Sequence, residues 1–163
     1  MTVLDPATGA RLSEALAAGA SELFDVINGL FLALPGVRTV TWLAARPDQA
    51  ITLRVGTSDA TNFPIGGFDP IDEAPWSRRI YGEKLPIITN TPDEMTFYVP
   101  ETAELVKLGY GSLVCAPIVI DGAARGTVNL IGVTGLFTPA LLAEINVLLP
   151  IAALVFTFDE VRA

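Results

Sequence analysis

Between Gly109 and Leu130 two apolar runs are joined by Asp121-Gly122. Asp-Gly favours the tight two-residue turn whose twist suits antiparallel strands, so the segment reads as a β-hairpin. A two-residue turn pairs Ile120 with Ala123. Counting outward pairs Ala116 with Thr127, Val114 with Asn129 and Ser112 with Ile131. Opposed residues share a sheet face, and successive pairs alternate between faces. One face then carries Leu113, Cys115, Pro117, Val119, Gly126, Val128 and Leu130. It is wholly apolar and suits a covering of long helices. The other carries Ser112, Val114, Ala116, Ile118, Arg125, Thr127, Asn129 and Ile131. A buried polar group without a partner costs about 1–3 kcal/mol. Ser112, Thr127 and Asn129 must therefore meet water, short helices or a ligand, which is the reason to expect a cavity on that face.

The flanking segments supply helices for both faces. Asp5-Pro6 starts a helix with Pro at its first position. Leu12, Leu16, Leu23, Phe24, Ile27, Phe31 and Leu34 recur at spacings of three and four, giving an amphipathic helix that Pro35-Gly36 stops. Val37–Ala45 and Ile51–Gly56 read as strands, and Thr57–Asp72 as a long irregular connection. Asp72 is placed to cap a short helix carrying Trp76, Arg78, Arg79, Ile80 and Tyr81 and ending at Gly82. Leu85–Thr89 is a short edge strand, with Pro86 near its start. Thr91-Pro92-Asp93-Glu94 matches a capping box, and a second short helix runs from Pro100 to Leu108. The last helix starts at Thr138, and Pro150 predicts a kink or break in it. This order of elements gives an α+β class with an antiparallel sheet.

Composition narrows the function classes. The 163 residues suggest one domain, 1–163, with 51% hydrophobic and 17% charged residues. Net charge is −8 and no Lys/Arg cluster exceeds Arg78-Arg79, so no nucleic-acid partner is expected. Histidine is absent, which removes the usual general base and the commonest haem and transition-metal ligand. Cys115 is the sole cysteine, and its place in an apolar strand reads as core. No basic region or apolar core precedes Asp5, so no signal peptide is expected and the expected compartment is the cytoplasm. Pro139–Phe158 is long enough to span a bilayer. However, Glu144, Asn146, Pro150 and the lack of a basic flank favour a helix on a sheet, with no membrane partner. Gly109-Tyr110-Gly111 lacks the third glycine of a dinucleotide fingerprint, since Val114 stands there. Asp69, Asp72 and Glu73 lack the spacing of a Ca²⁺ loop and read as caps and turns.

Three segments resemble motifs of the GAF domain family. Val37-Arg38-Thr39-Val40-Thr41-Trp42-Leu43 stands where that fold has its first strand. Gly109-Tyr110-Gly111-Ser112-Leu113-Val114-Cys115-Ala116-Pro117-Ile118 resembles its Gly-x-x-Ser-x-x-x-x-Pro-Leu/Ile stretch. Arg125-Gly126-Thr127-Val128-Asn129-Leu130 resembles the strand that follows. The resemblance covers about Leu12 to Phe158. It implies a profilin-like, six-stranded antiparallel sheet, with long terminal helices on one face and short connecting helices over a pocket on the other. It implies a small-molecule sensory role, with ligands held between the sheet and the segment from about Phe63 to Tyr110. The cyclic-nucleotide signature of some members is missing, and without histidine neither a bilin nor a haem is expected. The methionine sulfoxide reductases of this fold use more than one cysteine, because a resolving thiol must attack the oxidised one.

The candidate ligand-binding residues are Trp76, Arg79, Phe97, Tyr98, Tyr110, Ser112, Thr127 and Asn129. Trp76 either stacks on a planar ligand or plugs the mouth of the core. Arg79 either pairs with a carboxylate or phosphate through its planar fork or is a solvated charge. Phe97, Tyr98 and Tyr110 either line a cavity or pack. Ser112, Thr127 and Asn129 either orient a ligand or bond to backbone and water. No catalytic residue, metal or cofactor is assigned. The expectation is a non-enzymatic sensor acting through a homodimer formed by its terminal helices or through a separate protein. The alternatives are a pocket-less interaction module of the same fold and a redox enzyme using Cys115.

Overall fold

Six strands form one antiparallel sheet in the computed structural model, which describes residues 4–162 and their side chains as far as 158. They are β1 Thr39–Arg46, β2 Ile51–Thr57, β3 Phe68–Pro70, β4 Ile87–Thr89, β5 Ser112–Ile120 and β6 Ala123–Gly132. Their order across the sheet is β3-β2-β1-β6-β5-β4. Helices α1 Pro6–Ala18, α2 Ala20–Leu32 and α6 Pro139–Arg162 form the layer on one face. The other face carries α3 Pro75–Ser77, which runs into a π-helical turn Arg78–Gly82, then α4 Pro92–Tyr98 and α5 Thr102–Lys107. This is the expected α+β architecture.

The larger core lies under the terminal helices. Leu23, Ile27, Leu30 and Phe31 of α2 and Ile145, Leu148, Ala152 and Phe156 of α6 meet Val40, Trp42 and Ala44 of β1. Trp42 is fully buried, with the rings of Phe24, Phe31 and Phe156 at 5.8, 5.4 and 6.1 Å. Its indole N–H donates to Asn28 Oδ1 at 2.9 Å, so this large side chain enters the core without an orphaned donor. Gly126 is demanded by the packing, because a Cβ there would collide with the Leu43 carbonyl and the Phe156 ring.

The turn is as expected, and the register beyond it is not. Asp121 and Gly122 have φ of 50° and 74°, as a type I′ turn requires, and Ile120 pairs with Ala123. A β-bulge then intervenes: Val119 pairs with Ala124 but Ile118 pairs with Gly126, leaving Arg125 as the extra residue. Every pair beyond it shifts by one. Ala116 faces Val128 rather than Thr127, Cys115 faces Asn129, and Ser112 faces Gly132. Val128 and Leu130 keep the face first assigned to them. Val114, Ala116 and Ile118 join them under the terminal helices, while Leu113 and Cys115 move to the opposite side.

Other differences are local. The first helix is two helices, broken at Gly19, whose φ of 144° no L-residue adopts readily. A sixth strand, β3, lies inside the stretch read as irregular; it is three exposed residues on the sheet edge. Asp72 stands two residues before the N-cap of α3, Ala74, and accepts from its backbone N–H at 2.9 Å. The capping box Thr91–Glu94 forms as read, with both reciprocal hydrogen bonds. Helix α6 continues through Pro150. Pro150 and Asn146 are both exposed, so the Asn146 carbonyl that proline leaves without a donor meets water. This helix is apolar enough to cross a membrane by length and composition, with mean hydropathy 2.1 over Pro139–Phe158, and a third of it is buried against the rest of the fold.

Candidate ligand site on the sheet

Strand pleating sets the floor of the site. On the face beneath the short helices, Thr39, Thr41 and Leu43 of β1 stand beside Ile131, Asn129 and Thr127 of β6. Strand β2 adds Thr57 beside Thr41, Arg54 beside Leu43 and Thr52 beside Ala45. Strand β5 contributes Leu113 and Cys115, and β4 contributes Ile87. The centre of the sheet is thus polar, with hydroxyls and one amide, and its β5–β4 side is apolar.

The cover matches this division. Ile80, Met95 and Leu105 pack on Ile87, Leu113, Cys115 and Ile131 in a second core cluster. Trp76 points its indole N–H at Cys115 Sγ at 3.5 Å, and its ring meets Tyr81 edge-on at 5.8 Å. Tyr81 reaches across to donate to Thr52 Oγ1 at 2.8 Å. Burial pushes the Tyr81 phenol up to about 12, against the pull of that hydrogen bond. At the other end Phe63 tilts against Tyr110 at 6.2 Å, and the Arg54 guanidinium lies 5.8 Å from the Phe63 ring. The Tyr110 hydroxyl is 2.6 Å from Thr39 Oγ1, and Arg38 sits 5.0 Å over its ring.

Between these covers two buried side-chain atoms lack hydrogen-bond partners among the described residues. Thr127 is fully buried and Asn129 is 6% exposed; Thr127 Oγ1 and Asn129 Oδ1 make no hydrogen bond. The other end of the Asn129 amide donates to Thr41 Oγ1 at 3.2 Å. A hydroxyl donates as readily as it accepts, so the amide has one end held and one end free in either orientation. Each orphan is a place for a hydrogen bond that the chain does not itself supply.

The structure divides the eight candidate residues. Trp76, Tyr98, Tyr110, Thr127 and Asn129 lie on the same side of the sheet. Ser112 does not. The bulge turns it to the terminal-helix face, where its hydroxyl donates to the Val133 carbonyl at 2.6 Å. Arg79 is a surface tether: Nε donates to the Pro86 carbonyl at 3.1 Å, and the guanidinium pairs with Glu83 at 3.0 Å. Phe97 is 66% exposed, and its ring meets Tyr98 edge-on at 4.8 Å. Two helical residues separate about 200°, so a side chain two beyond the buried Met95 faces outward. Thr41, Thr52, Arg54, Phe63 and Tyr81 were not singled out from sequence. Strand β1 carried the missing signal: Thr39 and Thr41 alternate with Val40 and Trp42, the same polar–apolar alternation as Thr127 and Asn129 with Val128 and Leu130.

Cys115 lies at the boundary of the polar floor. It is 3% exposed, and desolvation pushes its thiol up to about 12, so the reactive thiolate is suppressed. Among the described residues no group of three His, Cys, Asp or Glu side chains is placed to hold a metal ion.

A central antiparallel sheet between a long-helix layer and a short-helix layer, with a polar floor under the latter, defines the class of domain. No family model matches the sequence, and no curated protein matches it. Solved structures do match. The GAF domain of a two-component sensor histidine kinase from Bacillus halodurans superposes with a TM-score of 0.71 at 12% identity, covering 88% of this chain and 97% of that one. A GAF domain/HD domain protein from Geobacter sulfurreducens gives 0.69 at 17%, covering 85% and 92%. The GAF domain of an Acinetobacter phosphoenolpyruvate-protein phosphotransferase gives 0.70 at 8%, covering 98% of each. The chain has the GAF-domain fold.

Proposed function

We propose that this GAF-fold domain is a non-enzymatic cytoplasmic sensor that binds a small polar molecule on the β1–β6 floor. The observation that carries this is the pair of buried polar atoms without partners, Thr127 Oγ1 and Asn129 Oδ1. A ligand reaching both needs a group complementary to the free end of the Asn129 amide and either sense of bond for the hydroxyl. Arg54, whose Nε is also buried without a partner, favours an acceptor at the β2 end of the same molecule. The sensor kinase among the structural neighbours supports the sensory reading. We assign the output to a homodimer built from the exposed sides of the terminal helices, where Leu16 and Val147 are each 46% exposed, or to a separate partner protein. Denaturing the purified protein and analysing the supernatant by mass spectrometry should release a small polar compound, and re-adding it should raise the melting temperature. No released compound, together with no shift across a metabolite panel, would count against this function.

A second reading is a pocket-less interaction module. It is favoured by one observation: Trp76, Ile80 and Met95 fill the β5–β4 half of the same face. A ligand-free protein in which two ordered waters alone satisfy Thr127 and Asn129 would favour it. A redox role for Cys115 is disfavoured by its burial and its raised thiol pKa.

A further inference from the structure

The opposite layer contains a groove of about 580 Å³ at the margin of the larger core. One wall is the end of α2 and the turn after it, with Leu30, Ala33 and Leu34. The other is the start of α6, where Ala140, Leu141 and Glu144 share a helical stripe. Leu30, Leu34 and Leu141 are buried, whereas Ala33 and Ala140 are exposed on its rim. Two small alanines thus stand on the rim of the groove. Its volume falls within the range of about 300–1,000 Å³ typical of small-molecule sites.

The charges at the groove decide what suits it. Asp5 and Glu144 are its two ionisable side chains. Asp5 is occupied as the N-cap of α1: Thr8 N donates to it at 2.7 Å, and this bond holds its carboxyl below the usual carboxylate range. Glu144 is half-buried, and among the described residues no hydrogen bond or ion pair engages it. It is also the sole charged residue between Pro139 and Phe158. No Lys or Arg lines the groove. We propose that this groove is a second ligand site, separate from the sheet face, for an amphiphile with an aliphatic body and a cationic amine head. The body lies between the α2 end and the α6 start, and the ammonium donates to the Glu144 carboxylate.

The test compares decylamine, decanol and decanoate, which share a body and differ in head, by calorimetric titration of the full chain below their micelle concentrations. Decylamine should bind saturably at one site per chain and more tightly than decanol, with decanoate weakest. Glu144→Gln should weaken the amine by roughly five-fold, the size of a half-exposed ion pair, and leave decanol unchanged. Ala140→Trp should abolish all binding, and Ala33→Leu provides the same block should the tryptophan variant fail to fold. Thr127→Val, on the sheet face, should leave amine binding unaltered. Decanoate binding as well as decylamine, unsaturable binding, or unchanged binding in both blocking variants would overturn the proposal. So would a groove covered by a second copy, seen as a dimer that the amine cannot enter and that Ala140→Trp dissociates.

Discussion

Replacing Thr127 by valine tests the reasoning about the floor, because the sign of the effect depends on whether the site is empty. The substitution keeps the shape of a side chain that is fully buried and removes a hydroxyl with no protein partner. An unsatisfied buried polar group costs about 1–3 kcal/mol, so its removal from the empty protein should be stabilising by about 1 kcal/mol, the low end of that range. For a domain of this length each kcal/mol moves the melting temperature by about 2–4 °C. The variant, stripped of ligand by unfolding and refolding, should therefore melt about 2–4 °C above the stripped parent. In the loaded protein the order reverses. The parent gains the ligand's hydrogen bond to Thr127 and the variant does not, which at about 1.4 kcal/mol corresponds to roughly ten-fold weaker binding. Paired calorimetric melts with and without the released compound read both signs. A stripped variant that is less stable than the stripped parent by 1 kcal/mol or more would refute the argument, since the hydroxyl would then be satisfied within the chain.

Three further outcomes follow from the packing and the titrating groups. Gly126→Ala forces a Cβ against the Leu43 carbonyl and the Phe156 ring and should cost about 3 kcal/mol in urea denaturation. Cys115 and Tyr81 both have folded pKa values of about 12, above their ordinary values of 9.0 and 10.0. Deprotonation is thus easier in the unfolded chain, so the stability they contribute is complete below pH 9 and falls as pH rises toward 12. Cys115→Ala should make that alkaline decline shallower in denaturation curves taken across the range. Arg79→Ala removes an exposed pair and a tether to Pro86, so it should change stability by less than about 1 kcal/mol and leave affinity for the sheet-face ligand unchanged.

The sequence revealed elements wherever a local signal was strong. The Thr91 capping box, the Asp121-Gly122 turn and the β1 and β2 strands stand within two residues of where the chain pattern puts them. The faces of β6 were legible too, because Gly126, Val128 and Leu130 alternate with polar Thr127 and Asn129. The faces of β5 were not. Ser112–Ile120 is apolar at nearly every position, so period two carries no direction, and its assignment rested on counting from the turn. One bulge residue, Arg125, was enough to invert the count. That inversion moved Ser112 off the site and brought Cys115 onto it. Strand β3 escaped notice because three exposed residues ending in proline have neither length nor periodicity. The orphaned end of the Asn129 amide is a matter of three dimensions: it depends on which strand lies beside β6, and that neighbour, β1, lies 88 residues away in the chain at Thr41.

The most direct test of the central claim is a crystal structure of the protein as purified, at a resolution that separates water from a bound organic molecule. The account predicts continuous non-protein density on the β1–β6 floor, within hydrogen-bond distance of Thr127 Oγ1 and the free end of the Asn129 amide. Two discrete waters there, or a protein side chain closing the space, would contradict it.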